Sequence, residues 1–126
     1  MKTVGMIDHA GFVVKNVKES KEFYEVVLKT LGYVCIADYG VWYGFGRDNK
    51  AEFWFGEDEK RTPSSSTHIA FFASSIEQVD AFYKEAIQAG GKDNGKPGYR
   101  PQYHDKYYGA FVLDLDGNNI EAVFHG

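Results

Sequence analysis

Across residues 7–14, alternation sets His9, Gly11 and Val13 on one face of an extended chain and Ala10, Phe12 and Val14 on the other. That pattern predicts a strand. Asn16 and Glu19 then stand at the spacing of a capping box, in which each side chain satisfies a backbone N–H at the start of a helix. In the helix they open, Val17, Phe23, Tyr24, Val27, Leu28 and Leu31 fall along one stripe, and Gly32 stops it. Short strands are predicted over 33–37, 41–46 and 52–55, with a turn at 47–50 between the last two.

The polar stretch 62–67 predicts a linker, and after it the same order returns. A strand is expected over 68–73. Ser75 and Gln78 open a helix whose buried stripe is Ile76, Val79, Phe82, Tyr83 and Ala86, and Gly90-Gly91 ends it. Residues 108–114 and 119–124 read as a hairpin around Asp116-Gly117-Asn118. The segment between Gly90 and Tyr107 is poor in regular pattern, so one short strand near 98–103 and a lid-like remainder are expected there.

The two halves are copies. At an offset of 59 positions, His9 falls on His68, Phe12 on Phe71, Phe23-Tyr24 on Phe82-Tyr83, and Gly32 on Gly91. Asn16 and Glu19 fall on Ser75 and Gln78. A larger offset places Asn49-Lys50-Ala51-Glu52 over Asn118-Asn119-Ile120-Glu121. The pattern predicts an α+β chain, one domain over 1–126, built from two β-α-β-β-β modules at about 4–61 and 68–126. A repeat of this kind brings equivalent residues together about a pseudo-twofold axis. Two histidines and two glutamates would then meet in one place.

That quartet is the candidate chemistry. His9, His68 and Glu121 are the metal-ligand candidates, with Glu52 as a fourth; imidazole and carboxylate suit Zn²⁺, Ni²⁺, Co²⁺, Mn²⁺ or Fe²⁺. Glu121 lies between Ile120 and Ala122, so a carboxylate pointing inward there needs a partner. His125 shares the strand parity of Glu121 and could reach the cavity mouth. His104, Tyr103, Tyr107 and Tyr108 sit in or beside the irregular segment, where packing of the loop is the expected role. Arg100 is expected in solvent, and Asn16 serves as a helix cap.

Composition narrows the partners. The 126 residues carry a net charge of −4, with Lys and Arg spread singly, which argues against nucleic acid and anionic membranes. No apolar run is long enough to span a bilayer. One cysteine, Cys35, cannot form a disulfide within the chain, and no signal-like stretch opens the sequence, so a cytoplasmic location is expected. Aromatic strands around Trp42 and Phe53-Trp54-Phe55 are too apolar for exposed edges, which predicts a homodimer.

His9 at a strand start, Ser20-Lys21-Glu22-Phe23-Tyr24 in a helix, Leu31-Gly32 at its end and the closing Asp114-Leu115-Asp116-Gly117-Asn118-Asn119-Ile120-Glu121 together resemble the vicinal oxygen chelate superfamily. The resemblance covers essentially the whole chain. It implies paired modules curving a mixed sheet around a cavity, with one divalent metal held by side chains from both. His9, His68 and Glu121 match its ligand positions, and Glu52 matches the fourth position of glyoxalases. The reaction implied is that of a glyoxalase-like lyase or isomerase on a small oxygenated substrate, with Glu121 or Glu52 as general base. Other members imply two alternatives, a metal-free protein that sequesters a drug-like ligand and a short Fe²⁺ extradiol dioxygenase. Two departures stand out: Val13 occupies the place of an arginine typical of glutathione-dependent glyoxalases, and the aromatic cluster around Trp54 after Glu52 differs from their more polar strand. Short members commonly dimerise and share the metal site between subunits.

Overall fold

A computed structural model describes residues 5–126. Its first half runs β1 (Ala10–Val13), α1 (Val17–Lys29), β2 (Val34–Asp38), β3 (Trp42–Arg47) and β4 (Lys50–Gly56). The second half repeats the order as β5 (His68–Phe72), α2 (Ile76–Gln88), β6 (Lys92–Tyr99), β7 (Tyr108–Leu113) and β8 (Asn119–Phe124). Each half makes its own four-stranded mixed sheet, ordered β1-β4-β3-β2 and β5-β8-β7-β6. The first strand of each half lies parallel to the last, because the helix carries the chain back over one face before the antiparallel strands return. The expected start of the first module, at about residue 4, lies outside the described residues.

Both helix starts follow the sequence. Asn16 accepts from the Glu19 N–H at 3.1 Å, and Ser75 accepts from the Gln78 N–H at 3.1 Å. The apolar stripe of α1 is buried against Phe45, Phe53 and Phe55, and Val79, Phe82 and Ala86 of α2 are fully enclosed. Asp48 and Asn49 both adopt positive φ, 55° and 61°, so the β3–β4 hairpin turns in two residues. Ladder pairing starts at Ala10, so His9 sits one residue ahead of β1 rather than within it. The second sheet differs more from expectation. Strand β6 starts at Lys92, well before residue 98, and residues 100–107 form turns. Gly95 at φ 153° and Pro97 hid the strand from the sequence pattern; both are tolerated because β6 is the sheet edge.

One hydrophobic cluster draws on both halves, and Phe53 meets Phe71 edge-on across the junction at 5.2 Å. A polar bond crosses it as well: the Tyr24 hydroxyl of α1 donates to Asp114 Oδ2 at 2.5 Å. The other oxygen of Asp114 accepts the N–H groups of Asp116 and Asn118 at 2.9 and 2.8 Å, so a buried carboxylate ends with every lone pair directed at a donor. Asn118 in turn takes the Thr67 N–H and donates to the Ser64 carbonyl, pinning the polar linker onto the second sheet. None of the helices among the described residues is long and apolar enough to cross a membrane.

Two stability experiments follow from these bonds. Tyr24→Phe removes a charge-assisted bond to a buried carboxylate and is expected to lower unfolding free energy by about 1.5–3 kcal/mol in denaturant titrations; an unchanged midpoint would show that the bond ties nothing. Tyr108 donates to Asp80 at 2.6 Å, which joins β7 to α2, and this bond pushes its pKa from 10.0 up to about 12. A raised phenol pKa means that the folded state holds its proton longer than the unfolded chain. The stabilisation is therefore full below pH 10 and is lost as pH rises toward 12. Stability curves of Tyr108→Phe should fall less steeply than wild type across that window.

Candidate metal centre

Parallel pairing of β5 with β8 sets His68 level with Asn119 and Ala70 level with Glu121. Since alternate residues share a face, His68 and Glu121 project from the same side of the second sheet, opposite the helix. His68 Nδ1 lies 3.1 Å from the Asn119 carbonyl oxygen, which can only accept, so Nδ1 carries the proton. The other ring nitrogen, Nε2, lies 3.2 Å from Glu121 Oε1. With the tautomer set by Asn119, a neutral His68 turns a lone pair toward a carboxylate oxygen. Two acceptors cannot rest face to face at that distance without a cation between them, either a proton or a metal. Nitrogen and oxygen ligands about 2.0–2.2 Å from Zn²⁺ stand a little over 3 Å apart, so the pair already has ligand spacing.

The surroundings hold that geometry. The Glu121 side chain is only 2% exposed, while His68 is 50% exposed and open on its outer side. Tyr107 donates its hydroxyl to Glu121 Oε2, leaving Oε1 for the His68 side. Burial, together with the bond to Glu121 and its charge, pushes the Tyr107 pKa up, so the phenol stays a donor. Gly109 keeps this contact uncrowded: a Cβ there would lie 3.1 Å from the Tyr107 ring and 3.3 Å from Glu121 Oε2. His104 and His125 flank the Tyr107 ring edge-on at 5.4 Å each. The Lys106 N–H donates to His104 Nδ1, so His104 Nε2 donates to His125 Nδ1 at 2.9 Å. That chain latches the 100–107 turns to the end of β8. His125 therefore works one step removed from Glu121, through Tyr107.

The first half is arranged differently. His9 Nδ1 donates to Asp8 Oδ1 at 2.7 Å, and Lys50 reaches the same oxygen at 2.6 Å. The bond from His9, followed by the bond and charge of Lys50, lowers the Asp8 pKa. A carboxylate behind a histidine fixes its tautomer and leaves Nε2 as the basic, outward nitrogen, the arrangement of a metal ligand with its supporting shell. Glu52 lies where the β3–β4 register slips, between Phe53 paired with Phe45 and Ala51 paired with Gly46. It opens into a cavity of about 530 Å³ that His68, Asp8 and Tyr33 also line. His9 lines a neighbouring hollow of about 280 Å³ with Trp42, Trp54 and Arg61, and Gly11 borders both spaces.

The fold thus joins His68 to Glu121, places Glu52 in one cavity with His68, and keeps His9 apart with Asp8. Among the described residues, no group of three His, Cys, Asp or Glu side chains comes within metal-holding reach. Arg100, expected in solvent, is folded back onto the Lys96 carbonyl at 2.6 Å and lies over the Phe111 ring. Sequence reasoning missed Asp8, Asn119 and Tyr107 as supports. Tyr107 had a legible signal, since it shares strand parity with Gly109 and Phe111, the residue paired with Glu121.

Duplicated βαβββ halves, each a four-stranded mixed sheet with its helix on one face, define the fold class of the chain. The comparisons agree with that class. The family description "Glyoxalase/Bleomycin resistance protein/Dioxygenase superfamily" matches residues 6–122, and the chain belongs to this superfamily. It is similar to a glyoxalase/bleomycin resistance protein from Albidiferax ferrireducens, at 30% identity and TM-score 0.85 over 95% of this chain and 99% of that one. A glyoxalase/bleomycin resistance protein/dioxygenase family enzyme from Burkholderia phytofirmans shares the fold at 20% identity and TM-score 0.72, covering 94% and 98% of the two chains. A glyoxalase-related enzyme from Fulvimarina pelagi does so at 14% identity and TM-score 0.75, covering 96% and 88%. No curated protein matches the chain.

Proposed function

We propose that the chain is a glyoxalase-like, metal-dependent lyase or isomerase acting on a small oxygenated substrate. The observation that carries this reading is the approach of His68 Nε2 to the Glu121 carboxylate at 3.2 Å, with Nδ1 held by the Asn119 carbonyl. His68 Nε2 and Glu121 Oε1 would hold one divalent ion, and the nitrogen and oxygen donors without thiolate suit Zn²⁺, Ni²⁺, Co²⁺, Mn²⁺ or Fe²⁺. Such an ion supplies Lewis acidity toward two neighbouring substrate oxygens, which acidifies the adjacent C–H.

The side chains divide the remaining work. Glu121 is fixed by Tyr107 and nearly buried, which suits a ligand better than a moving base. Glu52 is exposed at the slipped register, pairs with no cation among the described residues, and faces the cavity that His68 lines. It is the general base of this reading, accepting the substrate proton on its carboxylate. The half-site of His68 and Glu121 needs a further ligand, and within one chain His9 stands apart from it in a separate hollow. We place that His9 on a second copy of the chain, so that the enzyme is a homodimer with each site shared.

Two experiments test the reading. Ni²⁺ or Co²⁺ titrated into His68→Ala should bind at least about tenfold more weakly than into wild type, and Tyr107→Phe should weaken binding about tenfold through the loss of the bond that orients Glu121. Undiminished binding in both His9→Ala and His68→Ala would sink the site. Sharing between copies is tested by mixing. Neither His9→Ala nor His68→Ala alone should hold metal tightly, yet unfolding and refolding them together should restore one intact site in each mixed dimer. Failure to restore binding, with dimers present in sedimentation, would put all ligands in one chain.

A further inference from the structure

The turns that carry Tyr107 are held to the molecule by few bonds. Residues 101–106 are all exposed, and Tyr107 is the first of the run to be half buried. Backbone bonds close the turns on themselves and onto Arg100. Among the described residues, two side-chain hydrogen bonds tie residues 101–107 to the rest of the chain: Tyr107 to Glu121 Oε2, and His104 Nε2 to His125 Nδ1 at 2.9 Å. The rings behind these bonds are stacked. His104 and His125 lie 22° from parallel with centroids 5.1 Å apart, and both meet Tyr107 edge-on. Phe72 of β5 packs against His125, with centroids 6.1 Å apart.

The protons of this pair have one arrangement. The Lys106 N–H donates to His104 Nδ1 at 3.1 Å, so that nitrogen stays bare and the ring proton sits on Nε2. Nε2 donates to His125 Nδ1, which is therefore bare as well. Every bond of the chain thus uses a neutral ring. An added proton on His104 would stand on Nδ1, against the Lys106 N–H. One added to His125 would stand on its Nδ1, against the His104 N–H. Either way a donor faces a donor and the chain breaks. The surroundings do not offset the new charge: among the described residues, neither ring pairs with a carboxylate. The turn itself carries Asp105 and Lys106, and the Lys106 side chain runs along Gly126, next to His125. Tyr99 of β6 borders the hollow beside them, and Tyr103 lies against Tyr107. Arg100 is turned to the Lys96 carbonyl, β8 brings Glu121 only through Tyr107, and β5 contributes the uncharged ring of Phe72.

We infer that His104 and His125 are positioning residues that hold Tyr107 on Glu121 only while both rings are neutral, so that acid releases the turns and takes from Glu121 the donor on Oε2. Imidazole is the side chain whose charge ordinarily changes between pH 5 and 8, and both rings are exposed, so protons reach them without unfolding. The release stands on the hydrogen-bond chain, and only its consequence for a bound ion rests on the metal reading above. A centre that loses the donor orienting a ligand loses affinity, so the ion is given up in acid more steeply than protonation of the ligands alone requires.

Backbone ¹⁵N relaxation of chelator-treated protein reads the latch without any ion. Amide order parameters of residues 104–107 should fall from about 0.85 at pH 8 to below about 0.6 at pH 5, while those of α2 stay near the higher value. His125→Phe keeps a ring but has no acceptor, so these amides should be loose at both pH values. His104→Asn should make the turns insensitive to pH, since an amide takes up no proton there while His9 and His68 still titrate. Four results would overturn the inference: equal order at pH 8 and 5 in wild type, order retained at pH 8 in His125→Phe, a pH response that survives in His104→Asn, or loss of order in α2 along with the turns. Titration of Co²⁺ at pH 8 then reads the positioning. His125→Phe should bind about tenfold more weakly than wild type, as Tyr107→Phe should. Equal affinity would remove His125 from the support of Glu121. If wild type binds no cobalt, the metal reading fails and relaxation alone decides the latch.

Discussion

A neutral imidazole and a carboxylate both offer lone pairs, and where they face each other something positive must lie between. His68 and Glu121 are held in that relation by the backbone: the Asn119 carbonyl takes the proton of one ring nitrogen, and Tyr107 takes up the far oxygen of the carboxylate. Gly109 keeps the Tyr107 contact uncrowded, and the histidine pair behind Tyr107 holds its ring. These contacts leave one nitrogen and one oxygen aimed at a common point. Burial raises the stakes, because a carboxylate that is almost wholly out of water must be neutralised or strongly bonded.

Duplication supplied two such faces, and they have diverged. In the second half Glu121 stands level with Ala70, two residues past His68, so the side chains meet over the sheet. In the first half Phe53 is level with Ala10, which leaves Glu52 just ahead of the ladder and at a register slip. His9 is drawn to Asp8 and Lys50, and Glu52 opens toward the cavity that His68 borders. The larger offset needed to superpose the two glutamate segments comes mostly from the longer β6 and the 100–107 turns of the second half. Space released on the first sheet is occupied by indoles lying on glycines. The two faces thus no longer present the same side chains.

Much of this was legible in the residues. Helix stripes and caps are local, so Asn16, Ser75 and the apolar spacing placed both helices; the Asp-Gly turn placed the β7–β8 hairpin. Strand β6 was not legible, because Gly95 and Pro97 break the alternation that an edge strand can dispense with. His68 and Glu121 were visible as equivalents of His9 and Glu52, but their actual contact depends on parallel register between strands more than 50 residues apart, which spacing along the chain does not encode. The same holds for Tyr107 and Asp114. Each acts on a partner that only the packed sheet brings near.

The most direct test is the metal content of the purified protein itself. Elemental analysis of protein prepared without added metal, and again after incubation with Zn²⁺, Ni²⁺, Co²⁺, Mn²⁺ and Fe²⁺ followed by removal of free ion, should find one divalent ion per chain. If a proton alone fills the gap between His68 and Glu121, no preparation will retain metal, and the account of this centre is wrong.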